Sequence, residues 1–221
     1  MANIIIFGHK DFAELAYYFL TTDSEHTVSA FCVNEQYLPQ ERFFHNLRIV
    51  SFETVEKEFP TSEYSFFVPM TYRNMNRDRE LIFQQVKAKG YQMISYISSN
   101  AKVAKNVLIG ENTYIMENVT IQPYAKIGNN VVMGGCFISH HSIINDNVFI
   151  AAGAVICGHC IIEKNTFIGA NASVRDLSII GEYSFIGLGS IISKNMKSYS
   201  VYASKPAEDL KITSLEFEQL S

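Results

Sequence analysis

From Ile97 onward the chain keeps a period of six. Steps of six from Ile97 land on Val103, Ile109, Ile115, Ile121, Ile127 and Met133. Restarting at Ile138, they land on Ile144, Ile150, Ile156, Ile162, Ile168, Val174, Ile180, Ile186 and Ile192. Every landing is apolar. The fourth residue after each is mostly small or β-branched: Ala101, Val107, Thr113, Val119, Ala125, Val131, then Ser142, Val148, Ala154, Cys160, Thr166 and Ala172. A hexapeptide repeat of this kind is the signature of a parallel β-helix.

The third residue after each landing supplies the corners. Asn100, Asn106, Asn112, Asn118, Asn130, Asn147, Asn165, Asn171 and Asn195 fall there, with Gly153 and Gly189. These are the residue types that tolerate a left-handed backbone. Three hexapeptides per coil predict a triangular prism of about five to six coils. The one register break is "MGGCF", which has five residues where the repeat has six.

Residues one coil apart should stack. One outward column reads His140, Gly158, Asp176; a second reads Asp146, Lys164, Glu182; a third reads Ala152, Ala170, Leu188. The second is a solvated face, and the third is expected to be covered. In the first, a glycine directly above a histidine leaves room beside the ring. His140 points outward just after the register break, whereas His141 and His159 occupy corners, where histidine is first a turn residue.

Residues 1–96 have another rhythm. "NIIIFG", "HTVSAFCVN" and "YSFFVPM" read as buried strands. "KDFAELAYYFL" puts Phe12, Leu15, Ala16 and Phe19 on one helical face, and "NRDRELIFQQVKAKG" reads as a helix closed by Gly90. Strands alternating with helices predict a small Rossmann-like parallel sheet. The expected division is therefore an α/β domain over 1–96, a β-helix over 97–200 and a tail over 201–221, whose "LKITSLEFEQL" reads as a short amphipathic helix.

Composition narrows the function. The chain has 221 residues, 48% hydrophobic and 18% charged, with a formal net charge of −4. That balance supports a large core and gives no basic footprint for nucleic acid or an anionic membrane. No apolar run approaches the roughly 20 residues of a membrane span. "NIIIFG" is too short and lacks the basic flank of a signal peptide. Four cysteines without such a signal predict reduced thiols in a cytoplasmic protein. "CGHC" at 157–160 resembles a disulfide-exchange motif, but it lies inside the hexapeptide register with Cys160 in an inward slot. Zinc held by three histidines would draw on His140, His141 and His159. Two of these are corner residues, and no metal is expected.

The hexapeptide prism after a small α/β domain, "SHHSI" in mid-prism and a terminal "KPAE" resemble the sialic acid O-acetyltransferase-like family of bacterial sugar acyltransferases, which includes N-acetyltransferases of nucleotide-linked 4-amino sugars. The resemblance implies a left-handed β-helix, a homotrimer and acetyl-CoA as co-substrate, bound between neighbouring prisms. It implies a catalytic histidine at His140, with His141 beside it. Cofactor contacts would fall at Phe149, Gly158, Ala170, Gly189 and Pro206; "PAE" replaces the family's usual "PAK". The nucleotide-sugar phosphates would lie on the loop after the first strand. There Gly8 stands alone in "FGHKDFAE", so a dinucleotide fingerprint is absent and NAD is not expected. His9 and Lys10 could add charge beside a phosphate at the helix start. Asn34 and Glu35 sit where such domains read a ribose or base.

An imidazole titrates near neutrality, which suits it to take a proton from an attacking sugar amine or hydroxyl. A backbone N–H near Gly158 is the candidate for stabilising the oxyanion. The expected reaction is acetyl transfer to the amino group of a nucleotide-linked amino sugar. Sialic acid-type O-acetylation and a non-catalytic nucleotide-sugar-binding scaffold are the alternatives.

Overall fold

The computed structural model describes residues 1–209 and 211–214. The chain opens with β1 (Asn3–Phe7), α1 (Asp11–Thr22) and β2 (Thr27–Val33). There follow β3 (Phe43–Phe44), β4 (Leu47–Ser51), β5 (Tyr64–Phe67), α2 (Arg77–Ala88) and β6 (Gln92–Met93). They form one sheet in the order β3-β4-β2-β1-β5-β6. Ile4, Ile5 and Ile6 are fully buried, as a central strand covered on both faces requires. The sheet is not wholly parallel: β3 runs antiparallel to β4. Both residues of their two-residue turn, His45 and Asn46, have positive φ, the backbone that a tight hairpin needs.

The face of α1 also differs from expectation. Ala13, Ala16 and Leu20 are its buried residues, while Leu15 is 37% exposed. The helix has two partners rather than one. Its small-residue stripe lies on the sheet, and its aromatic residues reach the first coils of the prism: Phe19 stacks on Tyr96 at 5.6 Å and Phe12 meets Tyr114 edge-on at 5.7 Å. Asp23, next after the helix, accepts hydrogen bonds from the Tyr96 hydroxyl and the Ser99 N–H. The helix α2 ends before Gly90, whose φ of +87° is the left-handed stop read from sequence.

Beyond Tyr96 the chain winds through two-residue strands in three parallel sheets. Strand partners are one coil apart, as in Tyr114 with Val132, and one residue fewer across the register break, as in Thr120 with Phe137. From Ile115 to Ile192 every landing residue is at most 4% exposed. Ile97 is 42% exposed because the first coil has no coil beneath it. The corners from Asn112 to Gly189 have left-handed φ, among them Asn118, Tyr124, His141, His159 and Leu177. Asn100, Asn106 and Asn195, expected as corners of the same kind, do not. They lie in the first and last turns, where one neighbouring coil is missing.

One corner column forms a ladder. Nδ2 of Asn112 donates to Asn130, Asn130 to Asn147, and Asn147 to Asn165, at 2.8, 2.7 and 3.3 Å. All four asparagines are at most 5% exposed, because the α/β half covers this edge. The Val68 N–H donates to Asn112 Oδ1, and Asn165 donates to Glu80. Arg79 of α2 pins the junction. It is fully buried, and its guanidinium donates to the carbonyls of Thr71, Asn130, Asn147 and Val148. Among the described residues no carboxylate pairs with it, and burial pushes its pKa down to about 9 against the opposing charge of Glu80. The predicted tail helix falls mostly on residues outside those described.

Candidate active site

The three mid-prism histidines meet at one corner. His140 follows the strand Phe137–Ile138, and His141 turns the corner with φ of +59°. His159 turns the same corner one coil later with φ of +57°. Coils rise by one strand spacing, about 4.8 Å, so equivalent corner side chains stack. Tyr124, His141 and His159 form such a stack, with centroids 4.7 and 4.8 Å apart and planes tilted by 26° and 13°. His140 stands edge-on to both histidines, at 84° and 85°. Its Nδ1 lies 3.1 Å from Nδ1 of His141, so one nitrogen carries the proton and the other accepts. One ring nitrogen from each of the three residues lies within 4.8 Å of the others. Corner placement therefore gathers these residues, contrary to the expectation that it would keep them from converging.

Gly158 sets the other side of His140. A methyl group there would lie 2.9 Å from Cε1, 3.1 Å from Nε2 and 3.4 Å from Nδ1 of His140. The imidazole thus lies flat against the one position in its column without a side chain. The backbone beside His140 is held by a residue not singled out in the sequence. Gln122, one coil below, accepts hydrogen bonds through Oε1 from the His140 N–H at 3.1 Å and from Ser139 Oγ at 2.8 Å. The Gly158 N–H, one coil above the His140 N–H, donates to no acceptor among the described residues. A glutamine 18 residues before a candidate histidine would have been the sequence signal.

Cys136 and Cys160 play no part in this cluster's chemistry. Cys136 and Cys160 are buried, and burial pushes the Cys136 thiol up to about 12 and raises that of Cys160. The Cys160 thiol donates to the Arg175 carbonyl. Neither is a thiolate at neutral pH.

Phe149 and Ala170 are not brought to His140 within one chain. Phe149 lies on a different sheet of the prism, stacked on Phe167 at 5.7 Å and packed edge-on against Tyr72 of the α/β half at 5.1 Å. Ala170 and Gly189 share another edge, where the Gly189 N–H donates to the Ala170 carbonyl at 2.8 Å. Ser204 caps this edge by donating to the Leu188 carbonyl, and the exposed segment carrying Pro206 follows. Leu188, expected to be covered, is 74% exposed.

In the α/β half, Gly8, Asn34 and Glu35 follow the carboxyl ends of adjacent parallel strands, the rim where open α/β sheets take ligands. Gly8 has φ of +110°, and a methyl group on it would lie 3.3 Å from Ala13 Cβ, so the turn admits α1 closely. His9 is half-buried, and burial followed by the charge of Lys10 holds its pKa below the ordinary value. Its Nδ1 is buried without a partner among the described residues. Lys10 is exposed at the N-cap of α1. Asn34 and Glu35 are tied to Glu53, which sequence reasoning missed: Glu53 accepts from the Glu35 N–H at 2.8 Å, Ser51 Oγ at 2.8 Å and Asn34 Nδ2 at 3.4 Å. Burial raises the Glu53 pKa, but these hydrogen bonds outweigh it and leave the carboxyl below its usual value.

Residues 92–183 match the family model of the GMPPB C-terminal domain, less than half of the chain. The sequence matches none of the curated proteins it was compared with. Solved structures resemble nearly the whole fold. The acetyltransferase domain of PglB from Neisseria gonorrhoeae FA1090 superposes with a TM-score of 0.79 at 18% identity, over 95% of this chain and 100% of that one. A mutant of perosamine N-acetyltransferase from Caulobacter crescentus, in complex with CoA and GDP-perosamine, gives 0.83 at 18% identity, over 94% and 96%. WeeI from Acinetobacter baumannii AYE gives 0.76 at 18% identity, over 94% and 99%. The fold is thus an α/β domain followed by a left-handed parallel β-helix.

Proposed function

We propose that this chain is an acetyl-CoA-dependent N-acetyltransferase acting on a nucleotide-linked amino sugar, with His140 as general base. The observation that carries this reading is the setting of His140. Its Nδ1 is engaged by His141, and its ring lies against the gap left by Gly158. The fold likeness supports the substrate class, since one neighbour was solved with CoA and GDP-perosamine.

The chemistry follows from the tautomer. With the Nδ1 proton donated to His141, the lone pair of His140 lies at Nε2. The sugar amine attacks the thioester carbonyl, and Nε2 takes the proton that the nitrogen sheds as the C–N bond forms. The C–S bond then breaks and the imidazolium returns the proton to the departing sulfur. The Gly158 N–H, unpaired among the described residues, would donate to the oxyanion. Gly8, His9 and Lys10 would hold the nucleotide phosphates at the start of α1, and Asn34, Glu35 and Glu53 the ribose or base.

The same reading divides the chain into a nucleotide-sugar domain over 1–96, a catalytic prism over 97–200 and a tail over 201–221. It makes the protein a cytoplasmic homotrimer. Ala170, Gly189 and Pro206 would then contact acetyl-CoA from a neighbouring prism, because they lie on another edge from His140. Phe149, already packed against Tyr72, would at most border that groove.

Thiol release from acetyl-CoA tests the proposal, with UDP-, dTDP- and GDP-linked 4-amino sugars as acceptors beside free sialic acid. Release with an amino sugar supports the reading and names the substrate. Release with sialic acid alone replaces it with O-acetylation, and failure to bind acetyl-CoA overturns it.

A further inference from the structure

We propose that His140, His141 and His159 form a binding site for a divalent transition metal of the zinc class, and that the bound metal switches off His140 as a base. Tetrahedral zinc with nitrogen at about 2.0–2.1 Å places its ligand atoms roughly 3.3 Å apart. The Nδ1 atoms of His140 and His141 are already 3.1 Å apart. One ring nitrogen from each of the three residues lies within 4.8 Å of the others, so a tilt of the His159 ring closes the set. That tilt is open to it. His159 is exposed, and among the described residues its ring has no hydrogen bond, only an edge-on contact with His140 and a stacked one with His141.

The backbone fixes the ligands near this arrangement beforehand. His140 and His141 are chain neighbours, and the His159 N–H donates to the His140 carbonyl at 3.0 Å. Three neutral imidazoles select zinc, copper or nickel over magnesium or calcium, which prefer oxygen. They leave a fourth position for water.

The consequence for His140 follows from imidazole chemistry. A metal on Nδ1 forces the ring proton onto Nε2, and the lone pair that would accept the substrate proton is gone. This inhibitory part rests on the acyl-transfer reading; metal capture does not.

The test titrates the purified full chain with zinc against a chromophoric indicator, and with cobalt(II) for the visible absorption of a tetrahedral site. The expected result is one zinc per chain and a tetrahedral cobalt spectrum. His159→Asn keeps a residue suited to the left-handed corner. It should bind zinc at least about tenfold more weakly. It should also release thiol normally in metal-free buffer and escape zinc inhibition. Cys157→Ser should bind zinc like the parent. Absence of zinc binding, or equal binding by His159→Asn, overturns the site. Zinc binding as expected in a protein that acetylates no acceptor upholds the site and overturns the acyl-transfer reading instead.

Discussion

Replacing Gly158 with alanine probes the proposed base without touching it. The three atoms nearest the added methyl would all belong to the His140 ring, the closest at 2.9 Å. Ordinary contact is about 3.5–4.0 Å, so the ring must retreat by roughly 0.5–1 Å. A misplacement near 1 Å at a reacting group costs about 100-fold in rate. Stability should hardly change. The atoms that must yield belong to the end of an exposed side chain, and the φ of Gly158 lies outside the left-handed range. Replacing glycine at a compatible site gains about 0.4–1 kcal/mol by restricting the unfolded chain. The expected outcome is a fall of about 100-fold in turnover, with thermal unfolding unchanged or slightly higher. The assay is steady-state thiol release beside differential scanning calorimetry. Turnover within a few-fold of the parent in a folded Gly158→Ala would refute the claim that packing against Gly158 places His140.

Arg79→Met should cost about 3–5 kcal/mol, because it strands the buried Asn130 and Asn147 carbonyls at the junction of the two halves. For a chain of this size that lowers the melting temperature by roughly 6–20 °C, and a loss under about 1 kcal/mol would contradict this account of the junction. Asp23 should give stability an acid limb. Hydrogen bonds from Ser99 and Tyr96 lower its pKa from 3.8 to about 2, so its contribution is present above 3.8 and fades as pH falls toward 2. Denaturant unfolding between pH 5 and pH 2 should show that component in the parent and a smaller one in Asp23→Asn.

The prism was legible because its period has one physical cause. Each landing residue must fill the same interior, so Ile115 to Ile192 repeat one solution, and the corners repeat another in asparagine, glycine and histidine. Handedness was not legible from periodicity, since both hands place the same residues inside. The burial of Asn112, Asn130, Asn147 and Asn165 was hidden because a corner asparagine reads the same whether water or another domain covers it. Nothing in the helix sequence sets Arg79 apart from its charged neighbours, and only the folded junction shows its hydrogen bonds to five backbone carbonyls, those to Asn130, Asn147 and Val148 buried. The hairpin at His45 and Asn46 lacked the glycine that usually marks such a turn. His140 and Gly158 emerged from counting coils. The gathering of His159 with them did not, because a corner histidine is explained by turn chemistry alone, and the stacking of side chains one coil apart shows only in the folded chain.

The central claim is that His140 removes the proton from the acceptor amine. Its most direct test is thiol release by His140→Ala, measured with saturating acetyl-CoA and the amino-sugar acceptor that the parent uses best. The account predicts a loss of roughly 100-fold or more in turnover, with acetyl-CoA binding and the folded state retained. Turnover equal to the parent's would contradict it.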